Sequence, residues 1–185
     1  NDREPTFPLT ILSGEIGTPL LKDNVFNVVT TRKVSAATVV DGFHITGGYA
    51  VEKDNPQGHP RRSGAGWYND GSRGYSNPTI RNCFFTKNTA VDGGAVYNNA
   101  QNGQSDLYIS KCSFIQNTAY SDGGAIYYDG GYNNTGRTRF SKCFFSGNEG
   151  QNGAAIFNRN LKGKESLKIE NSSFLQNEAF ACGGA

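Results

Sequence analysis

The chain has 185 residues, among them 24 glycines, 20 asparagines, four cysteines and no methionine; only 18% are charged, for a formal net charge of +2. No run of roughly 18 apolar residues exists to cross a membrane as a helix, 12% aromatic residues are too many to leave in water as a disordered chain, and Gly and Asn are poor helix formers. The small, scattered charge also argues against nucleic acid as a partner, and the composition leaves a turn-rich β protein in which Gly and Asn serve backbone positions with φ > 0.

Taken in chain order, Ile11 to Ile16 reads as a degenerate first copy of a repeat, 29 residues before Val40-Asp41-Gly42-Phe43-His44-Ile45. The next copy begins at Ile80, an interval of 40 where later copies keep 29 to 31. The excess is segment 52–63, which holds Asp54, Pro56, Gly58, His59, Pro60, Arg61 and Arg62. Such an insertion is expected to leave the coil as a protruding loop, and loops on rigid repeats carry binding. With Trp67 and Tyr68 just after it, this segment is the best local candidate for a ligand or partner surface; the simpler reading is a decorated loop.

From residue 64 onward the copies are regular. Gly93-Gly94-Ala95, Gly123-Gly124-Ala125, Gly153-Ala154-Ala155 and Gly183-Gly184-Ala185 recur every 30 residues, with Gly64-Ala65-Gly66 as a looser forerunner. An F-x-x-N motif runs in step as Phe85/Asn88, Phe114/Asn117, Phe145/Asn148 and Phe174/Asn177. Each copy holds three short runs with the period of two that marks strands, and none has a helical run. About 30 residues and three strands per turn describe an all-β parallel β-helix of five to six coils. It is a single β-helix segment over 1–185, with irregular first coils 1–50, an inserted loop 52–63 and regular coils 64–185. Coils stacked at about 4.8 Å place like residues above one another. Phe85, Phe114, Phe145 and Phe174 then form an interior aromatic ladder. Asn88, Asn117, Asn148 and Asn177 form an amide ladder, and Cys83, Cys112 and Cys143 form a buried thiol column. Asn82 and Asn171 fall at sharp bends, where Asn tolerates the left-handed region. All six prolines lie at or before Pro78, as expected where every later N–H is a ladder donor.

The G-G-A-[VI] and F-x-x-N pairs resemble the repeat of the chlamydial polymorphic membrane proteins. The run from Asp41 to Gly48, then Gly64 to Asn69 and Asn77 to Cys83, is similar to right-handed β-helix proteins secreted by Bacteroidetes. This resemblance covers the chain from about Leu9 to Ala185. It implies a right-handed, pectate-lyase-like solenoid in an extracellular or cell-surface protein of adhesive or unknown role. Because the same fold serves polysaccharide lyases and glycoside hydrolases, fold does not give function.

Little catalytic chemistry is visible in the sequence. Asp92 and Asp122 precede glycine pairs in adjacent coils, and two stacked carboxylates could bind Ca²⁺; the simpler reading is that they shape the turn, since the column continues as Asn152 and Cys182. His44 lies outward in a strand without a nucleophile nearby. Only Asp129 and Arg159 pair outward in adjacent coils, as a simple ion pair. Tyr128 and Tyr132 are candidates for an outward aromatic stripe that would suit sugar rings or protein; the column Tyr68, Tyr97, Tyr127, Phe157 faces either way. The binding-surface candidates are therefore His59, Arg61, Arg62, Trp67, Tyr128 and Tyr132, with no catalytic, cofactor or firm metal residue. Asn133-Asn134-Thr135 and Asn171-Ser172-Ser173 match glycosylation acceptors. Because the last copy stops mid-repeat, the chain reads as a segment of a longer β-helix, whose partners would be neighbouring segments, a carbohydrate or another surface protein, with end-to-end or oligomeric association. The reading is a non-catalytic structural or adhesive segment; the alternative is a polysaccharide lyase or hydrolase domain.

Overall fold

The structure, a computed structural model, describes residues 10–131, 136–161 and 166–184. It is an all-β parallel solenoid of about five turns, with one short 3₁₀ turn at Leu21–Asp23 as the helical content of the described residues. Each full coil contributes four strands rather than the expected three. Face one stacks Val39–Asp41, Thr79–Arg81, Tyr108–Ser110, Arg137–Ser141 and Ser166–Glu170. Face two stacks Thr10–Ser13, Phe43–Thr46, Phe84–Thr86, Ser113–Ile115, Phe144–Ser146 and Ser173–Leu175. Face three stacks Tyr49–Ala50, Thr89–Ala90, Thr118–Ala119, Glu149–Asn152 and Glu178–Cys182. Face four stacks Val29–Arg32, Trp67–Asp70, Val96–Asn99, Ile126–Gly131 and Ile156–Asn160. Face three escapes sequence periodicity because two of its strands after the F-x-x-N motif are two residues long.

Three of the four corners in each coil are single residues in the left-handed region. Asn82, Lys111, Lys142 and Asn171 turn face one into face two with φ of 50 to 55°. Lys87, Gln116, Gly147 and Gln176 turn face two into face three, and Gly64, Gly93, Gly123, Gly153 and Gly183 turn into face four. The glycine pair thereby acquires a division of labour. Gly123, at φ 71°, makes the corner, whereas a Cβ on Gly124 would sit 2.2 Å from the carbonyl oxygen of Ala154 in the next coil, so the backbones approach too closely for a side chain. The following Ala125 is buried in the core.

In-register pairing produces the expected ladders. Phe85, Phe114, Phe145 and Phe174 stack with ring centroids 4.8 to 4.9 Å apart and planes within 10° of parallel, and Ile45 continues the column below them. Asn88 donates from Nδ2 to Asn117 Oδ1 at 3.0 Å, Asn117 to Asn148 at 3.0 Å and Asn148 to Asn177 at 2.8 Å. Asn117, Asn148 and Asn177 each also accept the backbone N–H of the asparagine one coil before and donate to the carbonyl of the phenylalanine one coil before, as Asn117 does to Phe85 at 3.0 Å. Cys83, Cys112 and Cys143 are buried free thiols; Ser172 takes the fourth place, its Oγ accepting the Cys143 N–H at 3.0 Å. Upstream, Val40 aligns with Ile80 and Ile45 with Phe85 as expected. The degenerate copy near Ile11 instead joins face two, where Leu12 pairs with Ile45.

Candidate functional site: an outward tyrosine stack beneath a strap

Alternation along face four settles the open tyrosine column. Trp67, Val96, Ile126 and Ile156 point into the main core, so their neighbours Tyr68, Tyr97, Tyr127 and Phe157 point outward. Outward is nevertheless not exposed here. Tyr68, Tyr97 and Tyr127 are at most 4% accessible and form their own cluster with Phe157. Their rings stack at 5.9, 4.9 and 5.1 Å between centroids, the last pair tilted by 39°.

The cover is segment 52–63, which was expected to protrude. It lies back over face four as a strap. The Tyr68 hydroxyl donates to the Gly58 carbonyl at 2.5 Å, and Gln57 Nε2 donates to the Tyr127 hydroxyl at 2.9 Å. Gly58 adopts φ +80° directly over the Tyr97 hydroxyl. Arg62 anchors the base: its Nε donates to Asp92 Oδ2 at 2.8 Å and its Nη1 to the carbonyls of Lys53 and Asn55. Asn27 holds the other side through the carbonyls of Pro60, Ser63 and Gly64. The geometric reason for lying flat is that the strap leaves and re-enters the coil along face three and its corner, beside the aromatic column that needs covering.

A polar knot closes the far end. Asp129 Oδ2 accepts from the Tyr97 hydroxyl at 2.6 Å, from Gln101 Nε2 at 2.5 Å and from Arg159 Nη1 at 3.4 Å. Arg159 also donates to Gln57 Oε1 at 2.9 Å, which ties the knot to the strap. The expected Asp129–Arg159 ion pair is therefore present, with the carboxylate fully buried. Burial drives the phenols of Tyr68, Tyr97 and Tyr127 upward, Tyr68 to about 12, with the Asp129 charge adding to the effect in all three.

The sequence candidates separate accordingly. His59 is half-buried on the strap and Arg61 is exposed, its guanidinium 3.6 Å from Glu52 and 5.2 Å from the Phe26 ring. Arg62 turns inward as the anchor rather than offering a free surface charge. Trp67 and Tyr128 are corrected outright: both are buried within the coil, because strand parity sends them to the interior. There Trp67 Nε1 donates to Thr31 at 2.8 Å, and Tyr128 shares an inward column with Asn69 and Asn98. Tyr132 and the Asn133 sequon lie outside the described residues. Asp92 is fully buried against Arg62, while Asp122 accepts from Asn152 Nδ2 at 2.7 Å. Desolvation raises Asp92 above the usual carboxylate range, against the pull of Arg62. Among the described residues no three His, Cys, Asp or Glu side chains gather as a metal site would need. His44 faces outward on face two, its Nε2 2.8 Å from the Thr86 hydroxyl.

Sequence reasoning missed Gln57 and Asn99 as partners of the tyrosine hydroxyls and Gln101 as a partner of the Asp129 carboxylate. It also missed an interior polar ladder, in which Asn69 donates to Asn98 at 2.7 Å and to Ser105 at 2.9 Å. The signal for that ladder was present in the 29-residue spacing of Asn69 and Asn98.

Two segments, 82–99 and 111–129, match the Chlamydia polymorphic membrane protein (Chlamydia_PMP) repeat. They occupy equivalent stretches of consecutive coils, each starting at a face-one corner, passing through the asparagine ladder and glycine pair, and ending on face four. The chain is thus a parallel β-solenoid carrying this repeat. No curated protein and no solved structure matches it.

Proposed function

We propose that this repeat-bearing solenoid is a non-catalytic structural and adhesive segment of a secreted or cell-surface bacterial protein. One observation carries the reading: the matched repeat encodes ladders. Phe, Asn and Cys recur so that each coil satisfies the backbone and side chains of the next, which is how a repeat builds length and stiffness. The name of the matched repeat supports a surface location. The pair of outward charges that an enzyme reading would use, Asp129 and Arg159, is consumed in holding the strap.

The test uses intact cells of the source organism. Antibodies against the folded chain should label them, and external protease should remove the label; labelling only after lysis overturns the surface location. Beads coated with the purified chain should then attach to host-cell or polysaccharide-coated surfaces. Label without attachment removes the adhesive half of the proposal, and release of unsaturated uronides from pectin or alginate overturns its non-catalytic half.

A further inference from the structure

Stacking gathers charges that the sequence scatters. On face one, with the corner residue that follows each strand, stand Arg81, Lys111, Arg137, Arg139, Lys142 and Lys168. The same strands hold two carboxylates, Asp41 and Glu170, and Asp106 stands just before Tyr108, its Oδ1 accepting the Arg137 N–H at 2.5 Å. This face therefore carries a net +4 in a chain whose total is +2, and the rest of the molecule is net negative. Arg137, Arg139 and Lys168 project outward and are exposed, as are Arg81 and Lys142. Tyr108 sits among them, 37% exposed, with the Arg139 guanidinium 5.8 Å from its ring centre.

The two carboxylates sit on the first and last strands of the face. Asp41 takes Arg81 at 2.9 Å, and Glu170 takes Arg139 at 2.6 Å and Lys168 at 2.6 Å; Glu170 is held below the usual carboxylate range by that contact with Lys168 and by Arg139. Between these ends the corner column reads Gly42, Asn82, Lys111, Lys142, Asn171 and holds no acid. Two features of Lys111 and Lys142 are costly for the fold alone. Both occupy the left-handed region, at φ 51° and 55°, where Asn or Gly is more comfortable. They also fall on adjacent coils about 4.8 Å apart, where like charges repel. The same corner is made by Asn in the coils on either side.

We propose that face one and its lysine corner bind an acidic polysaccharide laid along the solenoid axis. An extended pyranoside chain advances by about one strand spacing per sugar, so successive carboxylates or sulfates meet successive coils. Tyr108 supplies a flat surface for a sugar ring, and the exposed Arg137 guanidinium with the lysine ammoniums supplies donors for carboxylate or sulfate. A nucleic acid is the poorer fit, since the chain's pI of 8.4 lies below the strongly basic range of nucleic-acid-binding domains. The inference deepens the adhesive reading above and rests on it.

Binding of the purified chain to heparin, alginate and neutral dextran, followed by biolayer interferometry at several salt concentrations, tests it. Expected are salt-sensitive binding to the acidic polymers and none to dextran. The double variants K111Q/K142Q and R139Q/K168Q should each weaken binding about tenfold. K87Q is the control, a lysine at the next corner whose stacked neighbours are neutral, and should leave binding unchanged; circular dichroism confirms that every variant is folded. Absence of binding at low salt overturns the proposal, as do equal losses in K87Q. Competition by duplex DNA as effective as by heparin overturns the assignment to polysaccharide. A negative result alongside surface labelling of intact cells leaves the structural reading standing and removes this site alone.

Discussion

Gln57 donates its side-chain amide to the Tyr127 hydroxyl at 2.9 Å, across 70 residues of sequence and from the strap to the third tyrosine of the stack. The bond belongs to a set with Tyr68 to Gly58 and Arg159 to Gln57. Together they make the aromatic column of face four a second, external core with a lid of twelve or so residues. An inserted segment that looked like decoration is thereby part of the packing.

Releasing the strap should expose the tyrosines. Arg62→Ala removes the partner of a fully buried carboxylate, and breaking such a pair from one side costs about 3 kcal/mol. The variant should be cut by protease within 52–63 and its tyrosines nitrated faster than those of the parent. Unchanged cleavage and nitration would show that Arg62 does not anchor the strap.

Alkaline titration reports the same stack. Tyr68 is raised to about 12, and Tyr97 and Tyr127 are raised as well, above the unfolded value of about 10. A folded phenol that keeps its proton longer than the unfolded one contributes stability that is full below pH 10 and lost as pH rises through the folded value. Absorbance near the phenolate band should show the stacked three ionising only as the fold is lost. A single transition at the ordinary value would refute their burial.

The amide ladder should be weakest at its end. Asn117→Ala strips partners from Asn88, Asn148 and the Phe85 carbonyl at once, and buried groups left unpaired cost about 1–3 kcal/mol each. A loss of about 3 kcal/mol or more in urea unfolding is expected. Asn177→Ala, half-buried on the last described coil, should lose about 1 kcal/mol. Equal losses at both positions would contradict the ladder as the source of the effect.

Thiol chemistry separates the four cysteines. Cys83, Cys112 and Cys143 are buried and Cys182 is exposed; burial pushes Cys143 up to about 11 and Cys112 well above its ordinary value. A disulfide reagent should titrate one thiol quickly in the native protein and three more on denaturation. Cys143→Ser should cost no more than about 1.5 kcal/mol, because Ser172 already fills the next place in that column.

Where residues repeat in register, the sequence was sufficient. Phe114 and Asn117 could be assigned to their ladders from spacing alone, since each has equivalents 29 and 31 residues away. Face three was illegible because strands such as Thr118–Ala119 are too short to show a period. Trp67 and Tyr128 were misjudged for a different reason. Aromatic identity says nothing about strand parity, and on face four every second side chain reverses direction. The strap contacts of Gln57 and the charge on face one depend on which coils become neighbours, so they are invisible to a linear scan of charge runs.

The interval from the cysteine column to the asparagine column is five residues in all four coils: 83 to 88, 112 to 117, 143 to 148 and 172 to 177. From the asparagine column to the next glycine corner it is five or six, except across the strap, where Gly48 and Gly64 are 16 apart. Chain can be spliced into the solenoid at that one junction without disturbing the pitch, because the segment exits and rejoins on the same coil. A short foreign epitope inserted after Asp54 would be displayed on a stiff rod at a fixed height, leaving Gln57, Arg62 and Asn27 in place to hold the strap, while the stacking frame beneath it keeps its phase.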